Sequence, residues 1–274
     1  MLETQSERCQ AESMAALESG VITVQQRPTR VWRGGTGDAL LLLHAAGGDA
    51  YTGWHWIWDD LARDFTVIAP DWPGFGQSQA MPISQVNLSS LAGWVEDLRE
   101  VLGLEKLSIV GNSFGGTSAR LYAAQYPARV ERLAVINGAG LPAPGAPLPA
   151  IAEIVASGKV SGPDDVAREV LKLMFHDQNL LTPQHMAELS ADMLTIMSIL
   201  GKLGASPLPQ HTMPKAPTLV LWGEGDRFAP PTVGQALAAE LPKATFKGLP
   251  NGGHLPQIEQ PAAVVAALRQ FLLD

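Results

Sequence analysis

The sequence has almost no cysteine. Cys9 stands alone, which leaves no partner for an internal disulfide and suits a reducing compartment, so a cytoplasmic location is expected. In its polar N-terminal setting a neutral free thiol is the expected state. Basic stretches are missing as well. A net charge of −8 with no run of Lys or Arg argues against nucleic acid or an anionic membrane as partner. Long apolar runs are also absent: stretches such as Leu40 to Leu43 are far too short to span a bilayer. The opening residues, Met1-Leu2-Glu3-Thr4-Gln5, carry no apolar signal core. No repeat or low-complexity tail is found. What is present is 274 residues of which 46% are hydrophobic, enough for the core of one large α/β domain with an inserted subdomain.

Short β-rich runs alternate with helical patterns. Val21 to Val24, Ala39 to Leu43, Phe65 to Ala69, Leu107 to Val110 and Leu133 to Ile136 read as strands. Between Asn87 and Leu102, apolar residues recur at helical spacing, with Asn87 as N-cap and Gly103 as a stop. This rhythm implies βαβ units and a mainly parallel sheet flanked by helices. It breaks at Gly138 to Pro149, which is dense in Gly, Pro and Ala. Helical patterns at Asp164 to Phe175 and Pro183 to Leu200 follow, with no convincing strand. A second breaker-rich stretch, Gly201 to Pro217, closes the excursion. The alternation then resumes with Thr218 to Trp222, Gly234 to Glu240, Ala244 to Lys247 and Ala262 to Leu273. The expected organisation is an α/β core of residues 1–140 and 213–274, with a helical insertion at 141–212.

Gly111-Asn112-Ser113-Phe114-Gly115 is the most informative stretch. It fits G-x-S-x-G between a strand-like run and a helix-like run, the setting of a nucleophile elbow, in which a sharp turn lifts the serine hydroxyl above the sheet edge. A serine needs an adjacent base, and the base needs a carboxylate to hold its tautomer. His254, just past the last strand run, and Asp226, just past Thr218 to Trp222, fit those roles. Glu224 is a rival acid two residues away; Asp226 is favoured because Gly-x-x-Asp places its acid later in the loop. The order Ser–Asp–His is that of the α/β-hydrolase fold.

The chain resembles the α/β-hydrolases over nearly its whole length outside the insertion. His44-Ala45-Ala46-Gly47-Gly48 resembles their oxyanion loop, with Ala45 where Gly is usual. Asp71-Trp72-Pro73-Gly74-Phe75-Gly76-Gln77-Ser78 resembles their Asp-x-Pro-Gly-x-Gly-x-Ser segment, and Gly253-His254 through Glu259-Gln260-Pro261 is similar to their closing Gly-His-x-x-x-x-Glu-x-Pro. The resemblance implies an α/β-hydrolase fold with a helical cap. It also implies an oxyanion hole from the backbone N–H groups of Ala46 and Phe114, a bracing role for His44, and no metal or organic cofactor. Ser113 sets the chain apart from members with an Asp nucleophile. The elbow, Arg227-Phe228 and Phe175-His176-Asp177 are similar to hydrolases that cleave carbon–carbon bonds in ring-fission dienoates, whereas Leu255-Pro256 resembles generic esterases.

The expected activity is therefore a serine hydrolase acting on a small, largely apolar ester through an acyl-enzyme. C–C hydrolysis of a ring-fission dienoate is the alternative, and a receptor-like, ligand-binding member of the fold is a third. Trp54, Met193 and Met197 are candidate substrate contacts, with Trp56 the alternative to Trp54 as a pocket wall. The triplet Trp54, Trp56 and Trp58 is more commonly packing, and the Met-rich face of the insertion is first of all its own core. Turned toward Ser113, that face would line an adaptable acyl pocket. His176, His185 and His211 lack metal-ligand spacing. The expected partner is a small molecule; oligomeric state is not indicated.

Overall fold

Leu40 to Leu43 are four leucines in a row, and a strand sends alternate side chains to opposite faces. In the computed structural model, which describes residues 17–138, 149–190 and 213–274, Leu41 and Leu43 enter one core and Leu40 and Leu42 another. Both faces of this strand are covered, as the unbroken apolar run demands.

The strands are β1 (Glu18–Val24), β2 (Arg27–Gly34), β3 (Asp38–Leu43), β4 (Phe65–Pro70), β5 (Leu107–Asn112), β6 (Val130–Ile136), β7 (Thr218–Gly223) and β8 (Ala244–Leu249). They form one eight-stranded sheet in the order β1-β2-β4-β3-β5-β6-β7-β8. The β1–β2 and β2–β4 pairs are antiparallel and every other pair is parallel. The fold is thus α/β with a mainly parallel sheet flanked by helices. β2 has no counterpart among the strands expected from the sequence. Its Arg27, Pro28, Arg30 and Arg33 obscure the alternation, and the β1–β2 turn, Gln25-Gln26, lacks glycine although both residues have positive φ (49° and 61°).

The helices of the first half are α1 (Ala50–Trp54), α2 (Trp58–Leu61), α3 (Leu88–Val101) and α4 (Phe114–Gln125). Asn87 caps α3 in a reciprocal pair with Ser90, and Gly103, at φ 67°, follows its end. Three helices lie between β6 and β7 in the described residues: α5 (Pro149–Ala156), α6 (Pro163–Met174) and α7 (Pro183–Ser190). No strand occurs in the described part of that excursion. The last helices are α8 (Pro231–Glu240), α9 (Pro256–Glu259) and α10 (Pro261–Leu273). Residues of α3, α4 and α8 fill one face of the sheet, and those of α1, α2 and α10 fill the other.

The loop after β3 is fixed by His44, which is fully buried. Its Nε2 accepts the Trp72 backbone N–H (3.1 Å), so the ring proton sits on Nδ1, which donates to the Ala45 carbonyl (2.7 Å). The Trp72 indole returns a bond to the His44 carbonyl (3.0 Å). Asp71 accepts the N–H groups of Ala50 (3.0 Å) and Gln77 (2.9 Å), tying the β4 loop to α1. Burial holds the His44 imidazole down at about 4, from an ordinary 6.5. Folding therefore favours the neutral ring, and this contribution is complete above pH 6.5 and is lost as pH falls toward 4. The expected outcome is that the stability gap between wild type and His44→Gln narrows by up to about 3 kcal/mol over that window. Urea unfolding at pH 7 and pH 4 checks this; a pH-independent gap would show that His44 does not titrate with folding.

Candidate active site

β5 ends at Asn112, and the chain turns at Ser113 into α4. Ser113 has φ 53°, ψ −116°, a conformation that costs an L-residue energy and that tight packing must enforce. The flanking glycines show the packing. A Cβ on Gly111 would lie 2.3 Å from the Gly115 carbonyl oxygen, and one on Gly115 would lie 2.1 Å from that of Leu43. The turn brings the Ser113 Oγ 2.8 Å from His254 Nε2. His254 Nδ1 lies 2.7 Å from Asp226 Oδ2. Three residues that the sequence singled out are thus joined in one hydrogen-bonded line, although 141 residues separate the first from the last.

Asp226 is buried, and its carboxylate is saturated. Oδ1 accepts the N–H groups of Phe228 and Ala229 (both 2.9 Å), and Oδ2 accepts from His254 and from Asn137 Nδ2 (2.7 Å). These bonds replace hydration without a paired cation. Glu224 takes no part. It is exposed, and its carboxylate lies over Gly248, where an added Cβ would meet Glu224 Oε1 at 2.4 Å.

Two asparagines hold the site from below. Asn137, at φ 45°, accepts the Gly223 N–H (3.1 Å) and donates to Asp226 and to the Gly253 carbonyl (3.3 Å). Asn112 donates to the carbonyls of Ile136 and His254 (both 3.1 Å) and accepts from Gln257 (3.2 Å). Asn137 was not singled out in the sequence; an Asn directly after a strand and before Gly138 was the available signal.

The N–H groups of Ala46 and Phe114 have no acceptor among the described residues, so both are free to receive one. Ala45 packs with Leu171, Phe175, Leu189, Leu255 and Ile258, so its methyl joins an apolar cluster that links the insertion helices to the His254 loop. The end of α7 also lies over the loop: a Cβ on Gly47 would be 3.0 Å from the Leu189 carbonyl oxygen. The Phe228 ring stands edge-on to His254 at 5.0 Å.

Trp54, expected to contact substrate, is a core residue instead. It is fully buried with Leu40, Leu42, Trp58 and Leu61, because helical spacing puts it on the same inward face of α1 as Ala50. Trp56 is the tryptophan that reaches the insertion, meeting His185 edge-on at 5.8 Å. Met193, Met197 and His211 lie outside the described residues. Among the described residues no group of three His, Cys, Asp or Glu side chains is placed to hold a metal ion, and no helix is long and apolar enough to cross a membrane.

Glu259 had been noted in the sequence as part of the closing motif, with no task of its own. It accepts the N–H of Gly253 (2.7 Å), next to His254, and the N–H groups of His176 (2.8 Å) and Asp177 (3.1 Å) from the insertion. Burial raises its carboxyl above the usual range, opposed by those three bonds.

Comparison with known proteins agrees with this fold. The family model described as the alpha/beta hydrolase family matches residues 40–268. The chain is 32% identical over 259 residues, 87% of this chain and 88% of the other, to a 2-hydroxy-6-oxononadienedioate/2-hydroxy-6-oxononatrienedioate hydrolase of Burkholderia vietnamiensis. It is 29% identical over 268 residues, 88% and 89% of the two chains, to a 2-hydroxy-6-oxo-6-phenylhexa-2,4-dienoate hydrolase of Burkholderia cepacia. Among solved structures, a membrane phospholipase A described as a bacterial virulence factor superposes with a TM-score of 0.77 at 28% identity, covering 97% of this chain and 89% of that one. With the sheet, the elbow and these likenesses together, the chain belongs to the alpha/beta hydrolase family and is a serine-dependent hydrolase.

Proposed function

We propose that this enzyme hydrolyses a small, largely apolar ester, with Ser113 as nucleophile, His254 as base and Asp226 as orienting acid. Ser113 Oγ attacks the acyl carbonyl while His254 Nε2 takes the hydroxyl proton. Asp226 keeps the other ring proton on Nδ1 and stabilises the imidazolium. The oxyanion is received by the N–H groups of Ala46 and Phe114, each contributing on the order of 3 kcal/mol. The intermediate collapses, the alcohol leaves with the proton from His254, and the acyl group stays on Ser113. Water, deprotonated by His254, attacks the acyl-enzyme, and Ser113 regains its proton as the acid departs.

The observation that carries the ester class is the chemistry beside the triad. Ala45 and Leu255, the neighbours of Ala46 and His254, sit in an apolar cluster with Leu171, Phe175 and Leu189. The nearest cation in sequence to the acid, Arg227, is exposed and donates to the Lys172 and Phe175 carbonyls. An apolar acyl or alkoxy group is favoured there by burial, whereas a carboxylate entering without a partner would be disfavoured. The insertion at 141–212 would act as a cap bounding the pocket, with Met193 and Met197 as candidate walls.

C–C hydrolysis of a ring-fission dienoate is the second possibility. It is favoured by the dienoate hydrolases that share 29% and 32% identity over most of their length with this chain.

Three outcomes are expected. A fluorophosphonate labels the wild type, and Ser113→Ala abolishes labelling; a labelled alanine variant would place the nucleophile elsewhere. Asp226→Asn lowers kcat on the order of ten-thousandfold while Glu224→Gln changes it little, measured with p-nitrophenyl butyrate. Across p-nitrophenyl esters, each added methylene improves kcat/KM about fourfold until the pocket is full, and long-chain triglycerides are poor substrates. Efficient cleavage of a ring-fission dienoate with no turnover of esters would replace the ester class by the C–C one.

A further inference from the structure

Residues 172–177, the end of α6 and the turn after it, pass between the loops that carry Asp226 and His254. On the acid side, the Arg227 N–H donates to the Leu173 carbonyl (3.3 Å), and its guanidinium donates to the carbonyls of Lys172 and Phe175. On the base side, the backbone N–H of His254 itself donates to the Met174 carbonyl (2.6 Å). Glu259 completes the join: Oε1 takes the Gly253 N–H and Oε2 takes those of His176 and Asp177.

The fit is close at one glycine of each loop, Gly225 and Gly253. A Cβ on Gly225 would lie 2.2 Å from His176 Nδ1. One on Gly253 would lie 2.3 Å from the Met174 oxygen and 2.4 Å from Glu259 Oε1. Phe175 is fully buried between these contacts and packs in one cluster with Leu255 and Ile258. The strap therefore has two hydrogen-bonded ends and an apolar plug in the middle, all within a few residues of the acid and the base.

We infer that this strap is part of the catalytic apparatus, with Glu259 as a positioning residue that fixes His254 by clamping Gly253 to His176 and Asp177. An ionised carboxylate only accepts, and the strap presents it with three donors. In Glu259→Gln one end becomes an NH2, a donor facing an N–H. Either the Gly253 bond or the two strap bonds are lost while volume is kept. A displacement of His254 of about 1 Å costs on the order of 100-fold, although Ser113, Asp226 and the substrate contacts are untouched. The inference rests on the triad assignment above, and it assigns the helical insertion a task other than covering the pocket.

The test compares wild type, Glu259→Gln, Glu259→Asp and Arg227→Met, the last loosening the opposite end of the strap. Measured quantities are kcat and KM for p-nitrophenyl butyrate, the rate of fluorophosphonate labelling, the melting temperature, and the low-field proton resonance of the His254 Nδ1–H. Glu259→Gln should lower kcat and labelling rate together by on the order of 10- to 100-fold. KM should stay within about twofold, since uniform substrate binding is untouched, and the resonance should shift or broaden. Glu259→Asp, which keeps an all-acceptor group on a shorter stem, should recover part of the loss. Arg227→Met, whose side chain bonds only the strap among the described residues, should reproduce the kcat loss; this carries the test if Glu259→Gln does not fold. Wild-type kcat, labelling and resonance in folded Glu259→Gln, with only a lower melting temperature, would overturn the inference and leave Glu259 a structural residue. A wild type that neither labels nor turns over would instead overturn the triad assignment; an unchanged His254 resonance in Glu259→Gln would still refute the strap, and a changed one would uphold it.

Discussion

Ser113 occupies a backbone conformation that an L-residue enters at a cost of about 1–3 kcal/mol, and the rest of the molecule is arranged to keep it there. Its N–H is held by the Ile136 carbonyl (2.9 Å) on β6, and its carbonyl accepts from Thr117 (3.0 Å) in the first turn of α4. Strand and helix can meet at this angle only because Gly111 and Gly115 let backbone touch backbone. The two cores supply the force. Residues of α3 and α4 on one face and of α10 on the other bury the leucines and valines of β3, β5 and β6, so relaxing the elbow would open both.

Around that elbow the buried polar groups are satisfied by chain segments far apart in sequence. Asn137 at the end of β6 joins Gly223 at the end of β7 to Asp226 and to Gly253. Asn112 at the end of β5 holds the carbonyls of Ile136 and His254. Four loops beyond the carboxyl ends of parallel strands are therefore one network, the location at which open α/β sheets place their ligands. An unpaired carboxylate here would carry a large desolvation penalty; the four bonds to Asp226 remove it without a cation, leaving the charge available to an imidazolium.

The excursion between β6 and β7 is held at two places of different character. At the loop after β3 it is apolar and backbone contact, Leu189 against Ala45 and Gly47. At the Asp226 and His254 side it is hydrogen-bonded through Glu259 and Arg227. Packing contacts tolerate sliding, whereas a carboxylate with three donors fixes distance and direction. The Ala45 methyl, a departure from the usual glycine, is taken up by the first of these contacts.

Much of the fold was legible in the sequence because hydrophobic period and glycine placement are local. Seven of the eight strands were marked by apolar runs, and the Asn87 cap and Gly103 stop by residue type. β2 was not, because its turn uses two glutamines in a glycine conformation and its register comes from β1 and β4. At the site, Ser113, Asp226 and His254 stood out because each follows a strand in a short pattern of its own. Trp54 is a core residue rather than a substrate contact because three closely spaced tryptophans do not reveal which of them face inward; the packing of α1 and α2 against the sheet buries Trp54 and Trp58 and leaves Trp56 exposed. Asn137 went unmarked, and Glu259 was marked only as part of a motif with no task, for a related reason. Their work is done at separations of 89 and 83 residues, and a hydrogen bond leaves no trace in sequence until the chain has folded. The sequence by itself therefore determined the α/β alternation and singled out Ser113 and His254, with Asp226 favoured over Glu224 as the acid, since each follows from a short local pattern. Only the tertiary structure decided that Asp226 and not Glu224 meets His254, and that the insertion grips the loops of both, because those choices depend on distances set by the packing of the whole sheet.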